Sequence, residues 1–348
     1  METDRINFKK RNNKIITIKK HKIKINNYKN YFYIFTLVIL SYSLTFSIIF
    51  IRNKKSKNNL NKNINISNFN SNITNLIINR IIPNDSTCRL IKERLNNRTH
   101  PFDFENELLF FIDLISCKIP FSFIRFGDGE NFIMKGIQLN EKKDKWHWSI
   151  NDTRFRESLI ESSSICLNNK GFIGIPCKNW IKISKSILSF SKCSSAKYMS
   201  YATLFINKNY PFFKDWILHF INTSNRWKII LVANSIIHKN ISWAFKFFPV
   251  PDHLIENWDE YSISLLQQLF KEAKQNDLIF FISAGPAANI IISYLVKINI
   301  NNIYIDFGSS IEFITKGYST RPYAENSEYS HQSCEPFYLE NKSLVYTK

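Results

Sequence analysis

Phe121-Ser-Phe-Ile-Arg-Phe-Gly-Asp-Gly-Glu130 reads as a short buried strand that runs into a glycine turn. The same grammar recurs down the chain. Gly171-Phe-Ile-Gly-Ile-Pro176, Lys228-Ile-Ile-Leu-Val-Ala-Asn234, Asp277-Leu-Ile-Phe-Phe-Ile-Ser283 and Ile303-Tyr-Ile-Asp306 are apolar runs closed by turn residues. Between them lie stretches with helical spacing: 154–167, 211–222 with Pro211 in its first turn, 261–274, and a helix that opens at Ala284-Gly-Pro-Ala287 and runs through Val296. Ala196 to Ile206 reads as strand and loop, and 88–117 as a helix that caps the domain. Aromatic pairs such as Phe247-Phe248 and Phe280-Phe281 are expected in the core. Continuous apolar strands alternating with helices predict an α/β fold, a Rossmann-like and mostly parallel sheet with helices on both faces.

In such sheets ligands collect outside the carboxyl ends of the strands. The unusual residues of this chain fall there. Asp128 and Glu130 are separated by one glycine, so across a tight turn both carboxylates can hold one hard divalent cation; the competing reading is a solvated acidic turn. Arg125, on the strand before them, either clamps a phosphate or carboxylate or forms a structural salt bridge. Ser283, Gly285 and Pro286 open a helix whose first N–H groups suit a phosphate. Asp306 ends a strand as a base, a hydroxyl ligand or a cap, and Ser309 follows it. Trp180 stacks on a base or sits at a rim; His238, Asp259, Glu312 and Arg321 are candidates by neighbourhood alone. The turn lacks a full Gly-x-Gly-x-x-Gly, and no Gly-x-Ser-x-Gly, Walker A or His-Glu-x-x-His motif occurs, so dinucleotide, serine-hydrolase, P-loop and zincin readings lack their signatures.

Charge and hydropathy organise the rest. The net charge of +19 is uneven: residues 1–57 hold 14 Lys/Arg against Glu2 and Asp4, which leaves +7 on the other 291 residues. A nucleic-acid binder carries its basic stripe on the folded domain, so no nucleic-acid partner is expected. Tyr31 to Ile51 is 21 residues without a charge, enough to span a bilayer as a helix. The more basic flank precedes it, which predicts a single-pass signal anchor with a cytoplasmic tail (1–30), a span (31–51), a stem (52–85) and a lumenal domain (86–340). All six cysteines follow the span, which permits disulfides, and no CxxC spacing points to zinc. All eight glycines lie between Gly127 and Gly317, where the tight turns of a folded domain belong.

Ile124-Arg-Phe-Gly-Asp-Gly-Glu130 resembles the Arg-x-Gly-Asp-Gly-Glu signature of the GT-D type glycosyltransferases. Ile279-Phe-Phe-Ile-Ser-Ala-Gly-Pro-Ala287 is similar to that family's later strand and Gly-Pro-x-Ala turn, and Tyr304-Ile-Asp-Phe-Gly-Ser309 to its closing Asp-x-Gly strand. The resemblance covers roughly 115–320, within which the Glu141–Trp148 region does not align with the family pattern. It implies a nucleotide-sugar donor, a UDP-sugar first among them, a glycan or glycoprotein acceptor, and Mn²⁺ or Mg²⁺ held by Asp128 and Glu130. Gly127, Gly129, Ser283, Gly285, Pro286, Ser309 and Arg125 are then expected to contact the donor, and Asp306 to act as a base. The expected location is the Golgi or ER membrane as a type II protein. Two rivals are a catalytically silent lumenal binding module on the same fold and a Rossmann methyltransferase, which Gly174-Ile-Pro-Cys177 at the second strand end disfavours.

Overall fold

The computed structural model describes residue 77 and residues 80–335, except 142–145, 169, 194, 224–226, 237–240, 320 and 325–330. The basic tail, the expected span at 31–51 and the stem as far as residue 76 lie outside the described residues. Among the described residues no helix is long and apolar enough to cross a membrane.

Helices α1 (Asp85–Asn96) and α2 (Phe104–Ser116) precede β1 (Ser122–Arg125). There follow α3 (Asp128–Met134), a hairpin of β2 (Leu139–Glu141) and β3 (Trp146–Trp148), α4 (Thr153–Ser162) and β4 (Gly171–Ile175). Next come α5 (Ile181–Phe190), β5 (Met199–Tyr201), α6 (Tyr210–Asn222), β6 (Lys228–Asn234) and β7 (Lys246–Val250). Then follow α7 (Trp258–Ala273), β8 (Leu278–Ser283), α8 (Ala287–Ile298), β9 (Ile303–Asp306) and the single turn α9 (Glu312–Thr315).

Seven strands form one sheet in the order β5-β4-β1-β9-β8-β6-β7, every neighbouring pair parallel. Alternate residues along each strand feed two cores. Phe121, Phe123, Leu231 and Phe281 face α2 and α6; Ile124, Val232, Phe280 and Ile282 face α4, α7 and α8. Helices therefore cover both faces, as the apolar runs predict.

Several local expectations change. The 88–117 helix is two helices, because Asn97 ends α1 and Asp103 caps α2 by accepting from Asn106 N–H. The 154–167 helix stops at Ser162 and tightens into a 3₁₀ turn, Ser163–Asn168. Phe247-Phe248 is not deep core but half-buried on β7, an edge strand marked by Pro249, which has no N–H to donate to a ladder. The β2–β3 hairpin was not foreseen at all.

Connections follow one rule. Crossovers from β1 to β4, β4 to β5, β7 to β8 and β8 to β9 move one way along the sheet, and their helices pack on the Ile124 face; α6, which carries the long move back from β5 to β6, packs on the Phe123 face. Uniform crossover handedness produces this segregation. Its consequence is local. After β1 the chain turns to the Ile124 face through Ile133 and Met134, while after β9 it turns to the opposite face through Phe307, Ile311 and Phe313. β1 and β9 are neighbours, so a crevice opens between their carboxyl ends, the topological switch point where α/β sheets bind ligands.

Two disulfides clasp the domain. Cys88 is bonded to Cys117, and Cys177, just past β4, to Cys334, while Cys166 and Cys193 are buried thiols. Arg98 and Glu107, both without exposed side-chain surface, form a two-pronged pair at 2.7 Å, and Arg98 also donates to the carbonyls of Lys197 and Met199. This pair ties the α1–α2 corner to β5.

Candidate active site

A cleft of about 640 Å³ runs across the carboxyl ends of β1, β9, β8, β6 and β7. That volume suits a small-molecule ligand. Of the residues singled out in the sequence, Arg125, Asp128, Gly129, Glu130, Ser283, Gly285, Pro286 and Ser309 line it. Glu312 and Arg321 line it too. Gly127 and Asp306 do not, and lie behind the wall.

Arg125 is the residue most firmly placed. Its Nε and Nη2 donate to the two carboxylate oxygens of Asp306 at 3.2 and 3.4 Å, and Nη1 donates to the Ala202 carbonyl at 3.2 Å. Its backbone is pinned by Asn289, buried near the start of α8: Nδ2 donates to the Arg125 carbonyl at 2.7 Å, and Oδ1 accepts from the Arg125 N–H at 3.3 Å. Burial works against the guanidinium charge, but Asp306, through charge and hydrogen bond, with Glu130 and Tyr323, more than offsets it and holds Arg125 above its usual range. Burial likewise lifts the Asp306 carboxyl above its ordinary range, against the pull of Arg125. Of the readings open for Asp306, the geometry realises a cap and ion-pair partner: its oxygens take up Arg125 and the Gly308 N–H at 2.8 Å.

Gly308 explains the Phe-Gly-Ser turn. Its φ is +50°, and a Cβ there would sit 1.8 Å from Arg125 Nη2. Only a glycine lets the β9 turn pass this close to the guanidinium. Beyond it, Ser309 Oγ and Tyr323 Oη share a hydrogen bond of 2.8 Å.

The acidic pair differs from its expected form. Asp128 and Glu130 do not flank a tight turn; they are the first and third residues of α3, with Gly127 as the cap. On a helix, residues two apart do not face each other. Glu130 folds back so that its Oε2 accepts from the Gly127 N–H at 2.8 Å, whereas Asp128 is exposed. Burial pushes the Glu130 carboxyl up to about 7; its backbone hydrogen bonds resist this, the Asp306 charge adds to it, and Arg125 opposes it. Among the described residues no group of three or more His, Cys, Asp or Glu could hold a metal ion alone. The donor set still fits a cation of the Mg²⁺ kind, which takes one or two carboxylates and completes its shell from substrate phosphates and water.

Ser283 to Pro286 carry the chain from β8 into α8, with Gly285 at φ +54°. The turn that leads into this 12-residue helix, Ser283 to Pro286, lines the cleft, with the helix start buried directly behind it. A positive wall continues with Lys316 and Arg321, each paired with Glu312, at 3.0 and 4.0 Å. Trp180 lies elsewhere, 57% exposed on the turn after β4 and outside the cleft, so the structure does not bring it to a bound base there. Asp259 is in an exposed ion pair with Arg154, and His238 lies outside the described residues.

Some lining residues escaped the sequence reading: Asp252, His253 and Lys316. So did Asn289, although a lone amide in Ala287-Ala-Asn-Ile-Ile-Ile292 carried a signal, since a buried polar group needs partners.

No family model and no curated protein matches the chain. Two solved structures are similar. One is described as a selenomethionine-substituted domain of unknown function 1792, at 15% identity and a TM-score of 0.43, covering 73% of this chain and 96% of that one. The other is the highly conserved domain of unknown function 1792, described as having a distinct glycosyltransferase fold, at 16% identity and a TM-score of 0.42, covering 72% of this chain and 96% of that one. Likeness at this distance lends no weight to an assignment of chemistry.

Proposed function

We propose that the chain is a glycosyltransferase that moves a hexose from a nucleotide-diphosphate sugar to a glycan or glycoprotein hydroxyl. One observation carries this reading. The switch-point cleft gathers a carboxylate on a helix turn (Asp128), a fixed guanidinium (Arg125) and a helix N-terminus behind a glycine turn (Gly285) along one wall. Such a set suits a diphosphate leaving group: it offers a ligand for a bridging cation, a fixed positive charge, and N–H donors that need no reorganisation. In this reading Asp128 would hold Mn²⁺ or Mg²⁺, which supplies Lewis-acid neutralisation of the departing diphosphate, while Glu130 caps α3. Ser283, Gly285 and Pro286 seat the phosphates, and Gly129 and Ser309 form the adjoining walls. Gly127 starts α3, and Asp306 positions Arg125 rather than touching substrate.

The uncharged Tyr31–Ile51 segment with its basic leading flank supports a type II anchor in the ER or Golgi membrane. The Cys88–Cys117 and Cys177–Cys334 bonds are consistent with an oxidising lumen. The retracted Glu130 favours a second reading, a silent nucleotide-binding module.

The purified chain, incubated with a panel of nucleotide sugars and Mn²⁺, is expected to hydrolyse or transfer from at least one. Asp128→Ala should abolish this without lowering Tm, because the side chain is exposed. Binding without turnover would select the silent module, and full activity of Asp128→Ala would refute the site.

A further inference from the structure

The cleft has two chemically different ends. Its lining strands run β1-β9-β8-β6-β7, so its floor spans four strand spacings, about 19 Å. At the β1–β9 end the walls are crowded with ionisable groups: Arg125, Asp128, Glu130, Glu312, Lys316 and Arg321. The Gly285 turn of β8 is in the middle. At the β6–β7 end the walls are Ile236, Val250, Leu254 and Ile255, with Asn234, Asp252 and His253 as the polar groups among them.

Asn234 and Asp252 form an amide–carboxylate pair. Asn234 and Val250 are register partners at the ends of β6 and β7, which sets Asn234 beside Asp252. Asn234 Nδ2 donates to Asp252 Oδ1 at 2.5 Å, and Asn234 Oδ1 accepts from the Ile236 N–H at 2.8 Å. The amide is thereby locked in one orientation, and an amide nitrogen has a second hydrogen to give. Beside it His253 is held at φ +63°, with its Nδ1 2.9 Å from Glu256 Oε1. A non-glycine residue in the left-handed region, clamped by a side-chain bond, is the kind of strain that binding sites retain.

We infer that the β6–β7 end is the nucleobase subsite, with Asn234 and Asp252 reading the base edge and the apolar side chains packing its faces. This rests on the nucleotide-sugar reading above and adds the donor's direction: base over β6–β7, diphosphate over the Gly285 turn, sugar toward Asp128. Burying a flat base against six ionisable groups would cost their hydration, whereas the apolar end loses little and offers a fixed donor and acceptor.

The test separates base from diphosphate. Titrate the chain with inorganic pyrophosphate and with whichever of UDP, GDP, ADP and CDP binds, each with Mn²⁺. Asn234→Ala and Asp252→Asn should each weaken the nucleotide about tenfold or more, the worth of one hydrogen bond, and leave pyrophosphate within twofold. Phe132→Ala, on α3 where it lines the β1–β9 end of the cleft, should leave both unchanged. Equal loss of nucleotide and pyrophosphate in the β6–β7 variants, no loss in either, or a nucleotide-only loss in Phe132→Ala would overturn the assignment. If neither ligand binds the unmodified chain, the nucleotide-sugar reading itself fails and takes this one with it.

Discussion

Gly308→Ala tests how the fold builds the site. Two penalties arise. The first is conformational: an alanine at φ +50° costs ~1–2 kcal/mol. The second is steric: the new methyl would lie 1.8 Å from Arg125 Nη2, far inside contact distance, so the guanidinium must leave. Its departure breaks the pair with Asp306, which stays buried with an unpaired charge, at ~3–5 kcal/mol. The expected total is ~4–7 kcal/mol from those two terms. Gly136→Ala is the internal control. Its φ is +72°, yet the nearest atom to an added Cβ is Arg156 Nε at an ordinary 3.8 Å, so only the ~1–2 kcal/mol conformational term applies. Urea denaturation of both variants measures the difference. In an Arg125→Ala background the Gly308→Ala cost should shrink to the control's. Equal costs for Gly308→Ala and Gly136→Ala would refute the claim that the turn is shaped by Arg125.

Four further outcomes are expected. Glu130→Gln keeps an acceptor for the Gly127 N–H but removes the charge; because the folded pKa is raised from 4.5 to about 7, wild-type stability is full below pH 4.5 and declines toward pH 7. Relative to Glu130→Gln, the wild type should lose up to ~3 kcal/mol across that window, and a pH-independent difference in denaturation midpoints would contradict it. Glu107→Ala leaves Arg98 charged in the core and should cost ~3–5 kcal/mol by the same measurement. Opening Cys177–Cys334, whose loop spans 157 residues, should cost ~5 kcal/mol against ~3.5 for the 29-residue Cys88–Cys117 loop, read as Tm losses of paired Cys→Ser variants. Asn289→Ala removes both bonds to the Arg125 backbone and should cost ~1–3 kcal/mol while weakening pyrophosphate binding.

The sheet was legible because its signal is local. Ile229 to Ala233 and Leu278 to Ile282 are buried on both faces, and a parallel strand between two helical layers has to be apolar throughout. The strand-end loops were legible for the same reason, since each apolar run stops where its turn begins. What stayed hidden depends on partners remote in sequence. Arg125 meets Asp306 across 181 residues, and Asn234 meets Asp252 only because β6 and β7 align in register. β7 itself was missed because Lys246-Phe-Phe-Pro-Val250 is half-buried and interrupted by proline, which describes an edge strand equally well as a loop.

The acidic pair shows how one step of local structure redistributes roles that composition leaves equal. Read as a tight turn, Asp128-Gly-Glu130 offers two equivalent carboxylates. Wound into the first turn of α3, the same residues diverge by about 200°, twice the 100° step of an α-helix. Glu130 is carried back over Gly127, where it satisfies an N–H that the helix start leaves without a partner, and desolvation lifts its pKa. Asp128 is carried outward, exposed and able to meet a cation that a diphosphate brings with it. The two should therefore respond differently to substitution. Asp128→Asn should abolish Mn²⁺-dependent nucleotide binding at unchanged Tm, whereas Glu130→Ala should lower Tm by loss of the cap and shift binding less. Identical behaviour of the two variants in Tm and in Mn²⁺-dependent affinity would mean that the helix turn does not divide their work.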